Sequence, residues 1–505
     1  MNVRTFHRVL VANRGEIAVR IIRACHDLGL EAVAVYSDAD AQGLAVRTAD
    51  QAVHIGPAPS SESYLRADLL LEVAARYNCD AVHPGYGFLS ENEGFAQAVI
   101  EAGLVWIGAP PAAIASMGSK TAARERMVAA GVPVVPGTLK AAASPEDAQA
   151  AAKEIGFPLL IKASAGGGGK GMRAVHAPED LARSMELAQS EARSSFGDDA
   201  VYMERLVLKP RHVEIQVLAD AHGAVVHLGE RDCSIQRRHQ KVFEEAPCPV
   251  LASDTREAMA AAAVNAAKAV DYQGAGTVEF LLDASGEFYF LEMNTRLQVE
   301  HPITECITGV DLAQAQLRVA AGEPLWFSQA DVVLQGHAVE CRVYAEDPEK
   351  GFQPSPGPLI GYREPAGPGV RVDSGVVEGM EVPIHYDPMI AKLVVWGPDR
   401  EAALARARRA LLDYQIVGTA TSIPFFLHLF EDPEFRRGIY DTSFISDVWL
   451  DETFSGATLP GDEVFMLGAI LKFEQEAGKV MPAASASGGS AWRGLGDWGR
   501  RGWRR

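Results

Sequence analysis

Glu292, Asn294, Arg296, Gln298 and Glu300 fall on every second position of the stretch Leu291–His301. In an extended chain, alternate side chains share one face. Two carboxylates, two amides and a guanidinium in one row make an expensive face for a core strand. Upstream, Thr277-Val278-Glu279-Phe280-Leu281 and Phe288-Tyr289-Phe290-Leu291 read as strands, and Asp283-Ala284-Ser285-Gly286 is turn chemistry. A hairpin symmetric about Ser285–Gly286 sets Glu279 directly opposite Glu292. Like charges facing across a ladder destabilise it, and a divalent cation between them removes that cost. Hard oxygen ligands, with Asn294 beside them, suit Mg²⁺ (or Mn²⁺) held next to phosphates. Arg296 further along offers paired N–H donors to a planar oxyanion. The competing reading is a solvated edge strand of mixed charge.

A second stretch has phosphate chemistry. Ser164-Ala165-Gly166-Gly167-Gly168-Gly169-Lys170-Gly171-Met172 lies between two short strands, with Lys162 just before it. Glycines leave backbone N–H groups free to approach phosphate. The P-loop pattern G-x-x-x-x-G-K-[ST] is absent. The densest basic run, Arg231–Lys241, contains Gln236, His239 and Lys241 and stands shortly before the paired glutamates.

These groups need positioning elements. Arg8–Ala12 reads as a strand, Asn13–Glu16 as a turn and Ile17–Gly29 as a helix, followed by a strand at Ala32–Tyr36. This βαβ opening lacks G-x-G-x-x-G, so it does not indicate a dinucleotide site. His83–Asn92 forms a loop after a strand, where α/β folds place ligands. Val132–Gly137 interrupts any regular element and marks a boundary. Strands are expected at Pro158–Ala163, Ala200–Val207 and Pro210–Leu218, and another β-rich region begins at Gly336.

A chain of 505 residues holds several domains. Its composition, 48% hydrophobic and 22% charged, is globular. A net charge of −19 argues against a nucleic-acid-coating protein. The six cysteines show no C-x-x-C pair, which suits reduced thiols in a cytoplasmic enzyme. No membrane span or secretory signal is expected.

The segment E-M-N-T-R-L-Q-V-E-H-P-x-T-E (292–305) resembles the signature of the biotin carboxylase family, within the ATP-grasp enzymes. So do H-P-G-Y-G-F-L-S-E-N (83–92), R-D-C-S-x-Q-R-R-H-Q-K (231–241), A-N-R-G-E-I-A (12–18) and the stretch around Tyr386–Leu393. The resemblance extends to about residue 450. It implies an α/β (α+β) ATP-grasp fold with a Rossmann-like amino-terminal domain at 1–117. The ATP-grasp domain is expected at 118–333, including a lid at about 134–206. A β-rich carboxy-terminal domain is expected at 334–450, followed by an extension at 451–505 that is disordered from about 481.

The implied reaction is ATP-dependent carboxylation of biotin by bicarbonate through carboxyphosphate. This is the first half-reaction of an acetyl-CoA or acyl-CoA carboxylase. ATP would meet Lys120, Lys162, Gly166 to Gly169, Met172, Glu204, Arg205, Val207, His212, Gln236, His239, Glu279, Leu281 and Glu292. The metal would rest on Glu279, Glu292 and Asn294. Bicarbonate would be held by Lys241, Arg296, Gln298 and the Val299 backbone, with Glu300 as its base. Tyr86 and Gly87 would flank the biotin ureido ring, and Arg342 would stabilise its enolate. Family members often carry Lys where this chain has Arg205. No Met-Lys-Met motif of a biotin-carrying domain is present, so a separate biotin carboxyl carrier protein and carboxyltransferase subunits are expected, with the enzyme itself a homodimer. Two alternatives are another bicarbonate-activating ATP-grasp ligase and a non-catalytic ATP-binding subunit.

Overall fold

The computed structural model describes residues 6–138, 145–163, 172–197 and 199–445. Short apolar runs near the amino terminus form five parallel strands: β1 (Arg8–Val11), β2 (Glu31–Tyr36), β3 (Gln51–His54), β4 (Ala81–His83) and β5 (Val105–Trp106). Their order is β3-β2-β1-β4-β5. Near-continuous apolarity is what a sheet covered on both faces requires. The helix Gly15–Asp27 buries Ile17, Ile21 and Ile22. Asn13, in the loop after β1, donates to the carbonyls of Pro84 (2.6 Å) and Tyr86 (2.7 Å). Gly85 is required there: its φ is +65°, and a Cβ would come within 2.9 Å of Asn13 Nδ2. Two loops at the carboxyl ends of neighbouring strands are thus locked together.

A small antiparallel sheet follows, with β6 (Leu159–Ala163) between β7 (Arg173–Val175) and β8 (Val201–Arg205). Its core, including Leu159, Ile161 and Met203, packs against Leu181 and Ala188 of the helix Leu181–Phe196.

The main sheet has eight antiparallel strands. It contains β9 (Arg211–Ala219), β10 (Val225–Arg237), β11 (Gln240–Ala246), β12 (Gly274–Leu282), β13 (Phe288–Asn294) and β14 (His337–Tyr344), then Met389–Gly397 and Val370–Ser374. The order is β13-β12-β9-β10-β11-β14, followed by those last two strands. The expected change of domain near residue 334 therefore runs through one hydrogen-bonded sheet, because β14 pairs directly with β11.

Two features near the glutamates differ from the simple hairpin. Next to the turn, Phe280 pairs with Phe290 and Leu282 with Phe288, one residue off the expected register. A bulge between Glu279 and Phe280 absorbs Leu291 and restores Glu279 opposite Glu292. Second, β13 ends at Asn294, so the expected extended row does not continue to Glu300. Glu300 instead has φ −80° and ψ 10° and caps the helix His301–Thr308, with Pro302 in its first turn. Among the described residues, no helix is long and apolar enough to cross a membrane. The expected extension at 451–505 lies outside the described residues.

Candidate active site

A cavity of about 980 Å³ opens between the three sheets. Alternation along β9 puts His212, Glu214 and Gln216 on one face. Cross-strand pairing then sets Leu281 opposite His212 and Glu279 opposite Glu214, with Arg231 opposite Glu214 on the other side. One row across the sheet therefore reads Arg231, Glu214, Glu279, Glu292.

Lys241 neutralises the middle of this cluster. Its Nζ donates to Glu214 Oε2 (2.6 Å), Glu279 Oε1 (2.9 Å) and Glu300 Oε1 (2.7 Å). Arg231, fully buried, donates to Glu214 (2.6 Å), Gln216 (2.7 Å) and Thr304 (2.8 Å). Arg342 donates to Glu300 Oε2 (2.9 Å) and to Glu244 Oε1 (2.6 Å). His212 Nε2 stands 2.8 Å from the remaining oxygen of Glu279, and Gln236 Nε2 lies 2.8 Å from His212 Nδ1.

Electrostatics follow from these contacts. Burial pushes the Glu300 carboxyl up, but Lys241, Arg342 and Arg231 more than offset it and hold it well below the usual range. Glu279 is likewise buried yet held low by Lys241 and His212. Burial disfavours the Lys241 charge, but Glu214, Glu279 and Glu300 raise its pKa. His212 is raised because Glu279 outweighs burial. Burial pushes Glu244 up to about 7 against the opposing pull of Arg342.

Asn294 and Gln298 both donate to Glu279 Oε1, at 2.8 and 3.0 Å. Arg296 bonds Asn294 Oδ1 (2.9 Å), Gln298 Oε1 (3.1 Å) and Glu91 Oε2 (2.8 Å). Glu279 and Glu292 supply hard oxygen donors from opposed positions, and Glu279 is held ionised. They fit a divalent cation of the Mg²⁺ type.

Met172, Val207 and Leu281 contribute an apolar wall to the cavity, and His239, Tyr86 and Gly87 also line it. Lys162 pairs with Glu204, which also receives Arg124 at 3.5 Å. Arg205 donates to the Tyr289 hydroxyl at 2.5 Å and stacks over that ring, so its side chain serves the hairpin. Gly166 to Gly169 and the Lys120 side chain lie outside the described residues.

Sequence reasoning passed over Glu214, Glu244, Glu91 and Arg231. Glu214 carried a signal, since it sits midway between His212 and Gln216 at strand spacing. Glu91 lies in the 83–92 motif, but nothing there pointed to Arg296, its partner 205 residues away.

An amino-terminal parallel sheet, a small three-stranded sheet and a long antiparallel sheet closing on an acid–base cavity make the ATP-grasp arrangement. Residues 5–114 match the biotin carboxylase N-terminal domain, and residues 340–447 match the biotin carboxylase C-terminal domain. Residues 119–327 match the ATP binding domain of the carbamoyl-phosphate synthase L chain. Biotin carboxylase of Nostoc sp. is 51% identical, covering 88% of this chain and 99% of the relative. Biotin carboxylase 1 of Bacillus subtilis is 52% identical, covering 87% of this chain and 98% of the relative. A solved structure of the biotin carboxylase domain dimer of Hydrogenobacter thermophilus 2-oxoglutarate carboxylase, with MgADP, ADP and bicarbonate, superposes with a TM-score of 0.84. It is 47% identical over 88% of this chain and 98% of its own. The chain belongs to the biotin carboxylase family of ATP-grasp ligases.

Proposed function

We propose that the protein carboxylates biotin with bicarbonate at the expense of ATP. The observation that carries this reading is Glu300, an ionised buried carboxylate held between Lys241 (2.7 Å) and Arg342 (2.9 Å), both of which line the cavity. Family membership and the bicarbonate in the Hydrogenobacter structure support it.

Bicarbonate is too poor an electrophile to be attacked by biotin directly, so it is first activated by phosphorylation. Deprotonation makes it the better nucleophile towards the phosphoryl group. Glu300 is the base in this reading, although in the free protein two cations weaken it. A bicarbonate ion offers its own oxygens to Lys241 and Arg342. Each contact drawn away from Glu300 raises its proton affinity when a base is needed. Arg296, Gln298 and the Val299 N–H orient the ion, and Lys162 and His212 meet the nucleotide. Mg²⁺ on Glu279 and Glu292 would neutralise phosphate charge when bound. Attack on the γ-phosphoryl group forms carboxyphosphate and releases ADP. Carboxyphosphate breaks down to CO₂ and phosphate, the phosphate takes the biotin proton, and Arg342, beside Tyr86 and Gly87, stabilises the enolate that attacks CO₂. The enzyme acts as a homodimer on biotin borne by a carrier protein, and carboxyltransferase subunits deliver the carboxyl group to an acyl-CoA. Its unpaired cysteines suit the cytoplasm.

The test is phosphate release from ATP and Mg²⁺, with bicarbonate and biotin each added and omitted. Turnover that needs bicarbonate and rises with biotin is expected. Bicarbonate-dependent turnover indifferent to both biotin and a biotinylated carrier would refute the reading and favour carbamoyl-phosphate-type chemistry.

A further inference from the structure

Lys392, in the strand Met389–Gly397, has no exposed side-chain surface and is unused in the scheme above. Its Nζ donates to the Val299 carbonyl at 2.8 Å. It also stands 3.2 Å from Glu16 Oε2 and 3.8 Å from Asp373 Oδ2. The other oxygen of Glu16 accepts from the Tyr86 hydroxyl. One buried ammonium therefore joins three separate pieces: the helix after β1, the Tyr86 loop, and the peptide linking Val299 to Glu300.

The preceding peptide is pinned as well. His301 Nδ1 lies 2.8 Å from the Gln298 carbonyl, a contact that requires the proton on Nδ1. Its buried Nε2 has no hydrogen-bond partner among the described residues. Burial, together with Lys392, Arg20 and Arg371, keeps the ring neutral. Two consecutive peptide planes are thus fixed by side chains pressing from behind the cavity. A buried ion pair by itself is weak support for stability, whereas donors aimed at loop carbonyls preorganise what the loop presents.

We infer that Lys392 is a positioning residue: by holding the Val299 carbonyl it sets the Gln298–Glu300 loop for the oxyanion, and through Glu16 it ties that loop to Tyr86 on the biotin side. The inference rests on the biotin carboxylase reading.

Lys392→Met keeps the length of the side chain and removes the donor. The full chain is assayed for kcat and for the KM of bicarbonate and of ATP separately, with thermal unfolding alongside. kcat/KM for bicarbonate is expected to fall on the order of tenfold or more, as for loss of a charged hydrogen bond, while the KM for ATP stays within about twofold. If the single variant does not fold, Glu16→Gln/Lys392→Met removes the carboxylate left unpaired and should show the same selective defect. A folded variant with unchanged bicarbonate kinetics overturns the inference. So does a variant whose only change is a lower melting temperature or an equal loss towards both substrates. A wild-type chain lacking bicarbonate-dependent turnover overturns the functional reading and this inference together, whereas an active wild type with a normal Lys392→Met overturns this inference alone.

Discussion

Lys241→Met tests the charge logic of the site most directly. The ammonium touches three buried carboxylates at 2.6, 2.9 and 2.7 Å. Each has another partner: Arg231 for Glu214, His212 for Glu279, and Arg342 for Glu300. The variant therefore leaves a crowded set of anions rather than an orphan. Removing one partner of a buried pair costs about 3–5 kcal/mol, a large share of the roughly 5–15 kcal/mol that typically holds a domain together. The pH dependence follows from linkage. Glu279 and Glu300 sit below their ordinary pKa, so the stability they contribute is present above a pH of about 4.5 and is lost as pH falls. Without Lys241 their pKa values rise, and protonation relieves the crowding in acid. The penalty should be full at about pH 8 and shrink towards about pH 5. Denaturant unfolding of both proteins at the two pH values measures it, with bicarbonate-dependent phosphate release expected to be abolished. A penalty that is independent of pH, or that grows towards acid, would refute the reasoning.

Two further outcomes are expected. Among the described residues, the buried Glu340 finds no hydrogen-bond donor for either carboxylate oxygen, and its pKa stands well above the ordinary value because burial outweighs Lys392. Stability tied to its proton is present below about pH 4.5 and lost as pH rises. Glu340→Gln should match the wild type at about pH 5 and gain on the order of 1 kcal/mol by about pH 9, read by thermal unfolding across that range; a constant difference would contradict it. Glu91→Gln weakens the anchor of Arg296 and should raise the bicarbonate KM about fivefold with little change for ATP. An equal effect on both substrates would make Glu91 merely structural.

The sequence showed the opposed glutamates, but partly through compensating errors. A turn centred on Ser285–Gly286 sets Glu279 opposite Glu292. The actual turn-side register is one residue different, and the bulge at Leu291 cancels the difference. A bulge residue that looks like any apolar strand residue leaves no local mark. The end of β13 was more legible, since Pro302 suits a helix start and argues against strand continuation. The five-strand order was hidden because β3 and β5 are only four and two residues long. Glu244 carried no local signal, because its partner Arg342 lies 98 residues away and pairs with it only through the fold.

Opposed carboxylates recur across the main sheet, and two of these pairs are settled differently. Glu244 faces Glu340 across β11 and β14 with neither side chain exposed. There Arg342 binds one, and the other is favoured in its protonated form. Glu214 and Glu279 face each other across β9 and β12 and are settled by cations, Arg231, Lys241 and His212, at the edge of a cavity. Protonation is the cheaper answer for a carboxylate such as Glu340, which does not line the cavity. Cations shared among several carboxylates are the costlier one, and they have a property protonation lacks: an entering anion can draw them away. Lys241 is divided among Glu300, Glu214 and Glu279, and Arg342 between Glu300 and Glu244. An oxyanion bound by both would therefore loosen Glu300 on its two sides at once. Its proton affinity would rise only with such an anion in place, so that, if Glu300 is the base proposed above, deprotonation would be tied to binding.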